Sequence, residues 1–184
     1  MRKLVYLIFF FPLFIAGIST SCSDDDNSDI WNDYKDWREK NDAWLTQQAA
    51  LSDPSGKAYY KRIVPSWNPG VYVLMHNFSD PAVTEGNLVP LMSSTVTVKY
   101  KGELYNSVPF DSSYTRVDSL YTTKLTNVIE GWQIALQYMH VGDSVDVVIP
   151  YFAAYGTAGS ASIPPYSALK FSIKLVDIPG YEKR

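Results

Sequence analysis

Residues 127–150 read NVIEGWQIALQYMHVGDSVDVVIP, and the hydrophobic period changes once within them. Trp132, Ala135, Leu136 and Met139 stand at i, i+3, i+4 and i+7, which places them on one face of a helix. Glu130 lies at the end where the helix dipole is positive, and Gly142 follows the last turn as a stop. From Ser144 the period is two. Val145, Val147 and Ile149 alternate with their neighbours, the pattern of a half-buried strand.

The same period recurs on either side. TVTVKYKGEL, residues 95–104, alternates Val96, Val98 and Tyr100. ALKFSIKLVDI, residues 168–178, alternates Leu169, Phe171, Ile173 and Leu175, followed by Val176 and Ile178. Upstream, YYKRIVPSW and GVYVLMHNF flank Asn68-Pro69-Gly70, a turn between two β-rich runs. Gly102, Gly142 and Gly156 read as turn glycines. One helix among several strands gives the α+β class: a curved antiparallel sheet with one short helix packed on its concave face. Ahead of it, residues 30–51 carry Ile30, Trp31, Tyr34, Trp37, Trp44, Leu45 and Ala49 at helical spacing, an amphipathic helix with an aromatic stripe. SDPSG at 52–56 ends it. The stripe is expected to pack on the main domain, with homodimerisation through residues 30–51 as the alternative.

The N-terminus is a targeting segment rather than part of the fold. Arg2 and Lys3 precede an apolar run from Leu4 to Ile18, broken by Pro12 and short of the roughly 20 residues a membrane span needs. Ser19-Thr20-Ser21-Cys22 resembles a bacterial lipobox, and Cys22 is the only cysteine of the chain. The expected organisation is a lipoprotein signal peptide at 1–21, a lipid on Cys22, an acidic tether at 22–29, the amphipathic helix at 30–56 and a folded domain at 57–184. Loss of Arg2 and Lys3 leaves 14 of the 16 basic side chains against 19 acidic ones, a change in net charge from −3 to −5. Such a chain sits in the bacterial cell envelope, anchored by lipid to a membrane (the outer membrane, on its periplasmic or surface face).

Several chemistries are poorly served. A single cysteine forms no internal disulfide, and His76 and His140 stand alone, so no metal site is expected. There is no phosphate loop, no Gly-x-Gly-x-x-Gly and no Gly-x-Ser-x-Gly. No basic run suggests nucleic acid. What remains is an aromatic excess around short loops: VPFDSSY, VIEGW, FAAYG and IPPYSALKF.

In this order those loops, with VTVKYKGEL and the strand from Ala168, resemble the FKBP family of peptidyl-prolyl cis-trans isomerases. The resemblance is firm over residues 96–178. It implies a pocket of Tyr100, Phe110, Asp111, Tyr121, Val128, Ile129, Trp132, Tyr155, Ile163 and Phe171. Trp132 would be the floor under a proline ring. The Ile129 N–H and the Tyr155 hydroxyl would be donors to a ligand's carbonyls, and Asp111, a buried carboxylate paired with Arg116, would lie near the twisting carbonyl. Asp111, Tyr155 and Tyr100 are the residues assigned to catalysis, the rest to substrate binding. Ser162 and Thr123 depart from the family's usual apolar and aromatic residues, which bears on substrate preference and on affinity for macrolide inhibitors.

The resemblance thus implies isomerisation of X–Pro bonds in exported proteins, with proline-containing segments as partners and no cofactor. Two alternatives share the sequence: a non-catalytic chaperone or binding module on the same fold, and a structural lipoprotein that docks a partner through its aromatic helix.

Overall fold

The computed structural model describes residues 26–180. The signal peptide, Cys22 and the first residues of the tether therefore lie outside the described residues. Ten residues of strong β character, Thr95–Leu104 (β3), form the spine of an antiparallel sheet. One side of β3 pairs along most of its length with Leu169–Asp177 (β7). β7 in turn pairs with Ser144–Ile149 (β6), β6 with Val73–Asn77 (β2), and β2 with Lys61–Ile63 (β1). The other side of β3 is shared. Pro109–Ser112 (β4) pairs with its end and Tyr121–Lys124 (β5) with its beginning.

The period-two residues all face one way. Val96, Val98, Tyr100, Val145, Val147, Ile149, Leu169, Phe171, Ile173 and Leu175 are buried in one core beneath the helix Glu130–Leu136 (α4). Three of the four expected stripe residues, Trp132, Ala135 and Leu136, lie in α4 and are buried with them, as are Gly131 and Ile134; the helix ends at Leu136, and Met139 is buried just beyond it. Gly131 is held so close to β6 that an added Cβ would fall 2.3 Å from Ile149 Cγ2. Each buried aliphatic side chain contributes roughly 1.5–3 kcal/mol. The short helix is thus held by packing rather than by its own propensity.

The N-terminal segment differs from the single helix expected at 30–51. It is two helices, Asp26–Asp33 (α1) and Lys35–Ala49 (α2), interrupted at Tyr34. Backbone bonds run across the break, Tyr34 N to Ile30 O at 3.2 Å and Arg38 N to Tyr34 O at 2.8 Å. Residues 26–29, read as tether, are helical. α2 lies on the sheet's outer face, where Trp44 and Leu45 pack against Tyr60, Leu74 and Val148. That second cluster explains why β6 is buried on both faces rather than alternating. Beyond it, Asp146 is satisfied by Lys170 Nζ at 2.9 Å and Ser172 Oγ at 2.6 Å.

One further turn of helix, Pro81–Thr84 (α3), is capped by the Asp80 side chain, which accepts from Ala82 N at 2.9 Å. No helix among the described residues is long and apolar enough to cross a membrane.

Candidate functional site

Where β3, β4, β5, β7 and the entrance of α4 converge, the sheet leaves a cavity of about 130 Å³. It is lined by Tyr100, Phe110, Asp111, Tyr121, Asn127, Val128, Ile129, Trp132, Tyr155 and Phe171. Strand alternation delivers Tyr100 and Phe171 to the inner face, and the register sets Asp111 opposite Gly102 and Tyr121 opposite Val98. Val128 and Ile129 arrive in extended conformation, with Ile129 as the residue that caps α4. The extended entry leaves the Ile129 N–H without a hydrogen bond among the described residues. Gln133 Nε2 donates to Val128 O at 2.9 Å and fixes that entry.

The aromatic rings are locked edge to face. Trp132 meets Tyr100 at 5.0 Å and Phe171 at 5.3 Å between ring centroids, at 84° and 86°. Phe110 stands at 90° to Phe171, 5.5 Å away, and Tyr121 lies 5.7 Å from Tyr100. Such pairs add about 0.5–1.5 kcal/mol each beyond the area they bury. Trp132 Nε1 is buried with no partner among the described residues. The floor is therefore an apolar surface carrying one unspent donor.

Gly102 makes this lattice possible. Its sequence reading as a turn glycine does not hold, because it sits inside β3 between Lys101 and Glu103. A Cβ there would lie 2.7 Å from Phe110 Cζ and 2.8 Å from Phe171 Cε1. The missing side chain is the space those two rings occupy.

Other expectations also need correction. Ile163 lies outside the cavity lining; it is 6% exposed and belongs to the core. Asp111 is exposed rather than buried, because β4 is an edge strand and turns that side chain to the rim. Its Oδ2 accepts from the Tyr100 hydroxyl at 2.5 Å and its Oδ1 from Ser112 N at 2.7 Å. Arg116 forms no ion pair with it among the described residues; its guanidinium carbon lies 4.9 Å from the Tyr121 ring centre instead. Asn127, which the sequence reading missed, joins the lining, and only its place just before Val-Ile could have marked it. His76 lies on the outer face, its Nδ1 2.6 Å from Tyr59 O and its ring stacked on Tyr59, which is a structural position.

Two of the pocket phenols resist ionisation. The Tyr100 hydroxyl is pushed well above its ordinary value by burial first, then by its bond to Asp111 and that carboxylate's charge. Tyr155 is raised by burial, then by the charges of Asp111 and Tyr121. Both remain protonated donors through pH values at which a free tyrosine near 10 would begin to ionise. For an acid whose pKa is raised by folding, the stabilisation is complete below about pH 10 and is lost as pH rises beyond it. Peptide binding to the pocket is accordingly expected to stay level from pH 7 to 9.5, while the urea midpoint falls above pH 10. A binding curve that drops by pH 9, with the fold intact, would contradict this assignment.

Comparison with known proteins adds to this geometry. The family model described as FKBP-type peptidyl-prolyl cis-trans isomerase matches residues 89–176. The chain is 36% identical over 137 residues to the FKBP-type peptidyl-prolyl cis-trans isomerase FkpA of Escherichia coli strain K12, covering 74% of this chain and 50% of that protein. It is 42% identical over 94 residues to the macrophage infectivity potentiator of Trypanosoma cruzi, which covers 50% of this chain and 47% of that one. The crystal structure of FkpA from Escherichia coli superposes with a TM-score of 0.66 at 29% identity, over 82% of this chain and 63% of that one. A peptidyl-prolyl cis-trans isomerase from Pseudomonas syringae gives 0.59 at 27% identity, over 76% and 93%. The chain spans about half the length of the curated relatives it matches.

Proposed function

Residues 89–176 are a domain of the FKBP-type peptidyl-prolyl cis-trans isomerase family, and from that premise we propose that this chain accelerates the cis–trans isomerisation of X–Pro bonds. The observation that carries the proposal is the cavity floored by Trp132 and walled by Tyr100, Phe110, Tyr121 and Phe171.

An X–Pro amide resists rotation because resonance makes its C–N bond partly double, a barrier of roughly 18–20 kcal/mol. The planar amide is more charge-separated than the twisted one, so water stabilises the ground state more than the transition state. A cavity of interlocked aromatic edges removes that water around the proline ring. In this reading the Ile129 N–H and the Tyr155 hydroxyl hold the flanking carbonyls. Asp111, braced by Tyr100, sets the field at the rotating carbonyl. A barrier lowered by about 5–7 kcal/mol corresponds to roughly 10⁴–10⁵ in rate. No proton leaves the enzyme, which is why the site needs no acid–base pair.

The substrates are proline-containing segments of exported proteins, whose folding is slowed by proline steps of tens of seconds. The basic-then-apolar start and Cys22 support a lipid-anchored position in the cell envelope. Macrolide inhibitors are candidate ligands of the same pocket. The aromatic residues of α2 support packing on the chain's own sheet more than homodimerisation, since Trp37, Trp44 and Leu45 are already partly covered there.

A proline-limited refolding assay tests the reading, with residues 23–184 as wild type, Asp111→Val and Tyr155→Phe. Acceleration by the wild type is expected, with a loss of about tenfold in each variant, the worth of one charge-assisted or buried hydrogen bond. A folded wild type that gives no acceleration but suppresses aggregation would move the function to chaperone binding.

A further inference from the structure

The two N-terminal helices lie outside the family-matched region, yet they grip the loop that leaves the pocket at Tyr155. The Trp31 ring stands edge-on to Tyr166, 5.5 Å away at 83°. Arg38 lies with its guanidinium carbon 3.1 Å from the Trp31 ring centre and 5.7 Å from that of Tyr166, and its Nη1 donates to Trp31 O at 3.0 Å. Trp37 Nε1 donates to Ser167 Oγ at 3.0 Å, and that hydroxyl donates onward to Pro164 O at 2.6 Å. Asn41 Oδ1 accepts from Ala168 N at 2.9 Å while its Nδ2 donates to Trp37 O at 2.8 Å. Three consecutive residues, Tyr166, Ser167 and Ala168, are thus each held by a different side chain of α1 or α2.

The middle of this contact is strained. Tyr166 is 2% exposed and has φ of +61°, a left-handed conformation that an aromatic residue adopts only where its surroundings impose it. In that conformation its N–H reaches Gly156 O at 3.0 Å and closes the loop. Gly156 is the next residue after Tyr155, and Gly159 N donates back to Tyr155 O at 3.2 Å. The Tyr166 ring also abuts Tyr151, at the start of the turn that leads into Tyr155.

We infer that Trp31 and Asn41 are positioning residues for the pocket: by holding Tyr166–Ala168 they fix the Gly156–Tyr166 closure, and through it the Tyr155 hydroxyl. The inference rests on the isomerase reading for its kinetics but not for its geometry. Neither side chain lines the cavity, so their effect on ligand passes through Tyr155. Sequence reading gives these helices packing, dimerisation or the docking of a partner. The connection to the pocket loop runs through Trp31, backed by the buried Arg38, and through the buried Asn41.

The test uses the mature chain with Trp31→Ala, Asn41→Ala and the conservative Trp31→Phe, each made alone and together with Tyr155→Phe. Trp31 is 47% exposed, so its truncation leaves the core untouched even if Asn41→Ala proves too unstable to purify. KM for a short Leu-Pro peptide is expected to rise about fivefold in both alanine variants with kcat unchanged, the loss of about one hydrogen bond to bound substrate. Trp31→Phe, which keeps a ring against Tyr166, is expected to restore most of it. Neither alanine substitution should add to the loss in the Tyr155→Phe background. Hydrogen exchange at the Tyr166 amide should quicken about tenfold or more while β6 stays protected. Losses of the same size with and without the Tyr155 hydroxyl, or unchanged exchange at Tyr166, would overturn the inference. If the wild type binds the peptide without turning it over, the isomerase reading fails instead. The positioning claim is then decided by the same peptide's Kd in the same set of variants.

Discussion

Gly102→Ala is expected to lower kcat/KM about a hundredfold, since a displacement of about 1 Å among positioned groups costs on that order. The reason is local. The new Cβ would fall within 2.9 Å of two Phe110 ring atoms and 2.8 Å from Phe171. Phe110 is half-buried at the rim and swings outward; Phe171 is 4% exposed and has nowhere to go but toward Trp132. Overpacking of this kind costs about 1–3 kcal/mol of stability, so the protein is expected to stay folded. Circular dichroism and a peptide-based isomerase assay on the same sample check both halves. A variant with wild-type kinetics would mean that the Phe110–Phe171 pair does not shape the productive cavity. Combining it with Phe110→Leu should recover stability and not activity, because the space is restored while the wall is not.

The second large effect concerns the floor. Trp132→Ala is expected to destabilise the fold by about 3–5 kcal/mol, the usual range for emptying a buried aromatic site. Trp132 is 4% exposed and joins α4 to both β3 and β7 through its ring contacts. Trp132→Phe should behave quite differently. The indole N–H it removes has no partner among the described residues, so the variant gives up ring area and no protein hydrogen bond. A net change within about 1.5 kcal/mol is expected for it. Urea unfolding of the two variants side by side separates these cases. Equal losses would show that a phenyl ring does not fill the site and that the full size of the indole holds α4 to the sheet.

Much of this is legible in the sequence alone. The alternating residues of β3 and β7 carry a clear period because one face of each is buried under α4, whereas in β6 Val148 interrupts it because α2 covers the other face. The helix itself is readable from Trp132, Ala135 and Leu136, although it ends at Leu136, short of Met139 and of the expected stop at Gly142. What the sequence hid has physical causes. β4 and β5 are four residues each and pair on one side only, too short for a period to show. Ile134 broke the expected stripe because a short helix pressed onto a wide sheet is buried round more of its circumference. Gly102 looked like a turn because isolated glycines usually are. The burial expected of Asp111 is only an implication of the family resemblance, and four residues of strand give no sign that they lie at an edge. Most costly was the aromatic stripe at 30–51. Within it stand Arg38 and Asn41, polar residues whose burial only tertiary context explains.

The order of the strands has its own consequence for how the molecule comes into being. β7 is the last strand among the described residues and occupies the middle of the sheet, between β6 and β3. Its pairing reaches back from Asp177 to Thr97, so the central ladder joins segments far apart along the chain. No partial sheet of β3 and β6 can close while Leu169–Asp177 is still inside a ribosome or a translocation channel. A chain built this way stays open during synthesis and folds in one late, slow step dominated by non-local contacts. In the export reading proposed above that delay is useful, since nothing stable forms before the crossing. It also means that a truncation of only the final strand should abolish the whole domain rather than fray its end.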